Sequence, residues 1–391
     1  MLLLVIAPMK PIESASTITS NLGAHNTDTL QNQVDSIMAA FTLETPGGID
    51  YKTFAETVSS SLPYIFDPLT PLFEHFLFSK NLDLSRRCDG RRSLEETQPS
   101  PPSSILLPGS FKSEVLDSTT LAHLSFFLTC PCPCPDIFRS GARLHPVFSA
   151  TEHGSSLTSF SHHVLTWKAP SLLLLQGALS GSSGQTADMI TLGAYLPEAW
   201  TTSSKASSTS HGGRRSLPCL FELSPRHMLL KGNPAFSAEK FNVTESYFSE
   251  HTGIGIGCQI PPWARSHHDP PTPHGAGSLT IDASLETAEF HLDPIRSDGV
   301  FCPPSTLDNA AKRIRIDVYV LEIWGFLFPD SSKSGSYANA VETQRADWNF
   351  EAREAERRRN INLHAGGQSA YEGARWLLES AGLIGDGAAG G

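Results

Sequence analysis

Apolar residues near the start of the chain recur at helical spacing. Leu30, Val34, Ile37, Met38 and Phe41 fall at i, i+4, i+7, i+8 and i+11, which lays one apolar stripe along a helix. The stretch from Pro46 through Gly48, Asp50 and Phe54 then reads as a turn, a short extended piece and the start of another helix. That order is the back half of an EF-hand, but the loop lacks oxygen ligands at alternating positions, so a degenerate, metal-free helix pair is expected. Leu72, Phe73, Phe76, Leu77 and Phe78 predict a further helix, giving a helical region over 1–85. Residues 86–120 turn to Arg, Ser, Pro and Gln, the composition of a disordered linker.

After the short apolar segment Leu121 to Leu128 the period changes from helical to strand-like. Val164–Trp167, Ser171–Leu175, Leu192–Leu196, Cys219–Leu223, Ser246–Phe248, Gly253–Gly257, Ser278–Ile281 and Arg313–Trp324 are short, rich in branched or aromatic residues, and bounded by Gly, Pro or Ser. Many short strands with turns between them predict an antiparallel sandwich over 121–328. The Ser-, His- and Pro-rich stretches 201–215 and 261–277 are expected as disordered inserts. Helices return over 344–383: acids precede arginines in Asp347–Arg359, Glu354 can pair with Arg358, and Tyr371, Ala374, Leu377, Leu378 and Ala381 form a second stripe before Gly382.

Composition narrows the function classes. A net charge of −11 over 391 residues argues against direct nucleic-acid binding, which needs clustered Lys and Arg; the run Arg357–Arg359 reads as a helix-end pattern. Seven cysteines without a compact framework suit a reducing compartment. The opening Met1–Ala7 imitates a signal peptide, but no basic residue precedes it and Pro8 ends it early. It is also much shorter than a membrane span, and Leu2 occupies the position a myristoylation signal reserves for Gly. So apolar a start reads as the interior of a longer protein beginning at an internal Met.

Motifs for chemistry are sparse. No G-x-S-x-G elbow and no G-x-x-x-x-G-K-[ST] loop occurs, and Gly253, Gly255 and Gly257 are followed by Cys258 where a dinucleotide loop needs its third glycine. Those glycines read as a strand or turn that permits close backbone approach. Cys130, Cys132 and Cys134 alternate with prolines and have no partnering pair at zinc spacing, so an irregular loop is expected. His162 and His163, taken as adjacent strand residues, would point to opposite faces, and His267–His268 falls in a Pro-rich loop; neither is expected to hold a metal. Cys219 and Cys258 read as inert buried thiols. The sequon Asn242–Thr244 matters only in the secretory pathway.

The order of the strand motifs resembles a TLDc domain. Leu144 to Trp200 is similar to its first half, through Ser159–Ser161, Trp167 and the run to Leu174, then Gly193–Tyr195 followed by Trp200. Tyr247–Phe248, Gly253–Gly257 with Gly255 at its centre, and Ser278–Asp282 resemble its Gly-rich hairpin, and Leu321–Phe326, with Glu322, Trp324 and Gly325, its last strand. The flanks 72–85 and 349–363 resemble those of fungal family members, whereas 201–215 and 302–312 depart from the pattern. The resemblance implies an α+β fold built on a two-sheet antiparallel β-sandwich with flanking helices, with no cofactor, no metal and no catalytic residues. It also implies a non-enzymatic binding module in the cytoplasm, peripheral at the vacuole. Such proteins engage the vacuolar proton-pumping ATPase (V-ATPase), related ones confer oxidation resistance, and the fungal branch carries a link to restriction of telomere capping. The alternative from another class is a protective redox protein or enzyme using Cys258 or Cys219.

Overall fold

The computed structural model describes residues 25–41, 48–69, 112–128, 142–180, 189–200, 217–236, 243–260, 270–304, 311–327 and 340–365. The chain divides into two compact units, Met1–Ala338 and Asn339–Gly391.

The first unit opens with helices α1 (His25–Ala39) and α2 (Tyr51–Ser61). Asp50 caps α2 by accepting from the Thr53 backbone N–H at 3.0 Å, and the Thr53 side chain and then that backbone bond hold its carboxyl below the usual range. Ile37 and Phe41 pack with Leu62, Ile65, Ala122 and Phe126, against Leu30, Val34, Phe54 and Val58, as the stripe predicts. Met38 departs from it and is 44% exposed. The expected helix at 72–78 and the cysteine–proline run lie outside the described residues.

Helix α3 (Ser118–Ser125) is capped by Asp117, which accepts from Thr120 N at 2.7 Å. Strand β1 (Arg143–Ser149) leads into two short helices, α4 (Ala150–His153) and α5 (Leu157–Val164). Residues 164–167, expected as a strand, close α5 instead: Ser156 accepts from Ser159 N at 3.1 Å to start that helix, and Leu165 N bonds Ser161 O. Its apolar positions Leu157, Phe160 and Val164 are buried at helical spacing.

Ten more strands follow: β2 (Ser171–Leu179), β3 (Met189–Leu196), β4 (Cys219–Ser224), β5 (Met228–Lys231), β6 (Val243–Ser249), β7 (Gly253–Gln259), β8 (Thr272–Pro273), β9 (Gly277–Ile281), β10 (Thr287–Leu292) and β11 (Lys312–Leu327). All pairings are antiparallel, in the order β5-β4-β3-β2-β11-β10-β9-β7-β6, with β1 on β11 and β8 on β7. The strands expected to form the sandwich thus join in one continuous hydrogen-bonded antiparallel sheet. The cause is β11, whose 16 residues serve two neighbourhoods: 312–317 pair with β10, and 322–327 pair with β1. A register shift between Val318 and Val320 marks the change, and burial changes with it, from mostly exposed before Tyr319 to buried from Val320 to Phe326. Strands distant in this order still meet, since Gly277 of β9 lies against Leu230 of β5 and Leu220 of β4. Strand β2 is covered on both faces, which is why Leu172–Leu175 forms an unbroken apolar run instead of alternating.

Two stretches assigned to linker or insert differ from that expectation where they are described. Residues 112–117 are fastened to the sheet, and 270–277 contain β8 and the start of β9, with Pro271, His274 and Ala276 buried. Residues 201–215 and 261–269 lie outside the described residues. In the second unit, α6 (Ala340–Ala365) carries the acid-before-Arg pattern, and Arg357 Nη2 donates to Glu354 Oε2 at 3.1 Å, one position earlier than the pairing expected with Arg358.

Candidate functional site

The strongest polar centre of the sheet is Glu322 on β11. It is fully buried, and both carboxylate oxygens are engaged: Ser113 Oγ donates to Oε2 at 2.5 Å, Trp324 Nε1 to Oε2 at 3.0 Å, and Glu114 N to Oε1 at 2.9 Å. Ser113 Oγ in turn accepts from Val115 N at 3.2 Å and Leu116 N at 2.6 Å. This arrangement turns 113–116 across the strand and delivers Val115 and Leu116 to the core cluster that holds Leu172, Leu174, Tyr195, Trp324 and Phe326. The carboxylate, without solvent contact, thus fastens the segment 113–116 to strand β11 through three internal donors.

The remaining motif residues sit at close contacts around the same strands. The Trp167 ring covers Gly325 so tightly that a Cβ there would stand 2.1 Å from the ring, while its Nε1 donates to Pro170 O at 3.1 Å and His145 stacks on it at 5.5 Å. Gly193 on β3 admits Phe221, which would be 2.4 Å from a Cβ. Trp200 donates to Ser171 Oγ at 3.0 Å and meets Phe160 edge-on at 5.5 Å. Gly255 accommodates Pro271, and Gly257, with φ +66°, accommodates Phe301. Gly193, Gly257 and Gly325 are thus each covered by an aromatic ring, that of Phe221, Phe301 and Trp167 in turn.

A second polar centre lies where the N-terminal helices meet the sheet. His123 of α3 and His227 of the β4–β5 hairpin are 0% and 2% exposed, with His123 Nε2 3.0 Å from His227 Nδ1. His123 Nδ1 is 2.5 Å from Gln33 Oε1 on α1, and His227 Nε2 is 3.1 Å from Ser61 O at the end of α2. His227 N also donates to Ser36 O at 3.0 Å, and Ser36 Oγ donates to Leu223 O. Burial holds both rings neutral, His123 well below the ordinary histidine range and His227 down to about 4. In the same hairpin, desolvation pushes the Glu222 carboxyl up to about 7, opposed by a long 3.4 Å bond from Arg226 N.

Other candidates have less to offer chemically. His162 and His163 lie on helix α5, not on a strand, and His163 stands 4.2 Å from His153 between ring centroids. His153 Nδ1 accepts from Ser149 N at 3.0 Å, so in its neutral form Nε2 carries the proton and is not free as a ligand. Among the described residues no group of three or more His, Cys, Asp or Glu is placed to hold a metal ion. Burial raises the Cys219 and Cys258 thiols to about 12, leaving them protonated and poorly nucleophilic at neutral pH. No described helix is long and apolar enough to cross a membrane.

The sequence reading had passed over Ser113, His123, Glu222 and His227. Ser113 was assigned to linker, and 104 positions separate the two histidines, so no spacing rule joins them. A histidine set in the apolar segment 121–128 was the one available signal.

Comparison with known proteins places these features in context. The family model described as "TLDc domain" matches residues 109–327, beginning just before Ser113 and ending with β11. "Restriction of telomere capping protein 5" of Aspergillus flavus is 54% identical over 396 residues, covering 99% of this chain and 62% of that protein. The protein of that name from Aspergillus fumigatus is 53% identical over 402 residues, again 99% and 62%, and that from Coccidioides posadasii 47% over 422 residues, 98% and 63%. The chain thus spans about three-fifths of the length of the curated relatives it matches.

Proposed function

Because the chain belongs to the TLDc family, we propose that it is a non-enzymatic regulatory binding module, acting in a process that influences telomere capping through binding of the V-ATPase and control of its assembly. The carrying observation is the state of Glu322: the acid of the family motif spends both oxygens on three internal donors, which suits a scaffold that presents a surface better than it suits a catalyst. The relatives' name supports the telomere part of the reading. Its place of action in this reading is the cytoplasm, at the vacuolar surface, with α6 and strand β11 as contact elements. A two-layer sandwich and a degenerate EF-hand origin for α1 and α2 are the finer fold readings that accompany it. The redox alternative is disfavoured by the protonated state of Cys219 and Cys258.

The test uses the whole chain, added to vacuolar membranes bearing assembled pump. Co-sedimentation and a changed ratio of peripheral to membrane sectors are expected. Absence of both overturns the proposal, as does unaltered binding by a chain lacking 340–391 together with a surface variant of β11.

A further inference from the structure

We propose that the His123–His227 pair is an acid-released latch that holds the N-terminal helices α1 and α2 on the sheet. Four elements converge on the two rings: α1 through Gln33, α2 through Ser61 O, α3 through His123 itself, and the β4–β5 hairpin through His227. The carbonyl of Ser61 can only accept, so His227 Nε2 bears a proton and its Nδ1 is an acceptor. His123 Nε2 therefore donates to His227 Nδ1, and His123 Nδ1 is the last unprotonated nitrogen of the neutral chain. Gln33 must then present its NH₂ end, which is isosteric with the oxygen.

An added proton has two places to go. At His123 Nδ1 it forces Gln33 to turn its oxygen inward and leaves an imidazolium fully buried. At His227 Nδ1 it sets N–H against N–H at 3.0 Å and breaks the bond between the rings. Among the described residues neither place has an anion within hydrogen-bond reach. The charged groups on the packed elements whose side chains are described are Asp35 on α1, Lys52 and Glu56 paired at 3.9 Å on α2, Asp117 capping α3, and Glu222, Arg226 and Lys231 on the hairpin. Among the described residues, none of these is within hydrogen-bond reach of either ring: Asp117 is taken by Thr119 and Thr120, Lys231 by Ser59 O, and Asp35 by Gln31. Around the rings lie Phe126 and Phe127, the latter 5.2 Å from His227 and 6.2 Å from His123. Undocking α1 and α2 exposes both rings to water and relieves the charge, while the sheet keeps its strand pairing.

The sign is that of a depressed histidine: docking is complete above the free value of 6.5 and weakens as pH falls toward about 4. One ring moved from 6.5 to about 4 lowers the docking equilibrium about thirtyfold between pH 7.5 and pH 5.

The experiment is amide hydrogen exchange on the full chain at pH 7.5 and pH 5.0, corrected for intrinsic exchange. A rise of tenfold or more (order of magnitude from the same linkage) is expected in opening of α1 and α2, with β2 and β3 unchanged. The variant His227→Gln, which can still bond both neighbours but does not titrate, is expected to reduce the pH response to the part carried by His123. Unchanged protection of α1 and α2 at pH 5.0 overturns the latch, and so does simultaneous opening of β2 and β3, which means general acid unfolding. Should His227→Gln not fold, ring titrations by NMR on the native chain decide: two rings titrating near 6.5 overturn it, and two held well below support it.

Discussion

Replacing Glu322 by Gln tests whether the motif acid is structural. The substitution keeps the shape of the side chain but turns one acceptor into a donor. With the amide oxygen toward Glu114 N, the NH₂ faces Trp324 Nε1, a donor against a donor, and Ser113 Oγ, which already accepts from two backbone N–H groups. With the amide reversed, Glu114 N loses its acceptor instead. Either way at least one buried donor is orphaned, at about 1–3 kcal/mol, on top of the loss of charge assistance in the others. A destabilisation of about 2–4 kcal/mol is expected, read as a lower urea midpoint at constant slope. Glu322→Ala orphans all three donors and leaves a cavity, so it is expected to be worse, with faster exchange across 113–116. Glu322→Gln within about 0.5 kcal/mol of the parent, the range of neutral surface changes, refutes the structural reading and reopens a chemical role for the acid.

Gly325→Ala drives a Cβ into the Trp167 ring and is expected to cost about 3 kcal/mol or more, beyond ordinary overpacking because hydrogen bond and stacking both pin the ring; Trp167→Leu in the same chain recovers part of that loss in a double-mutant denaturation cycle. Glu222 has a folded-state carboxyl raised from 4.5 to about 7, so its contribution is present at low pH and is lost as pH rises through that interval. Glu222→Gln is therefore expected to raise stability at pH 8 relative to pH 4, by up to about 3 kcal/mol, and equal effects at both pH values contradict the assignment. Cys258, buried and protonated, is expected to react with a thiol reagent at least about a hundredfold faster in urea than in the folded chain, and Cys258→Ser combined with Cys219→Ser is expected to leave peroxide tolerance unchanged in cells.

Much of the strand content was legible because period-2 and short apolar runs between Gly, Pro and Ser are local signals: β2, β3, β4, β7, β9 and β11 all stand where those signals placed them. The first helix was legible for the same reason. Strand β5, with only Met228–Lys231, is too short to carry a period, whereas β10 does alternate Ala288, Phe290 and Leu292 with Glu289 and His291, a strand signal passed over in the sequence. Residues 164–167 misled because branched and aromatic residues at the end of a helix look like a strand when the Ser156 cap is overlooked. The joining of all strands into one sheet was not legible, since it depends on how far β11 extends past its bulge and on partners more than 100 positions away. Of the site, the motif residues could be named but not explained: the crowding of Gly325 by Trp167 and the triple engagement of Glu322 arise from tertiary approach alone. The histidine pair belongs to the same class.

The reach of β11 also bears on how the chain is made. Its residues 312–327 pair with 143–149 and 171–179, so β2 emerges from the ribosome well over a hundred residues before its partner does. During that interval Leu172–Leu175 has β3 on one side only, and the other side is a naked apolar edge of the kind that recruits foreign strands. A nascent chain stopped before residue 312 is thus expected to be a client for chaperones, and the last strand to be synthesised is the one that ends the exposure.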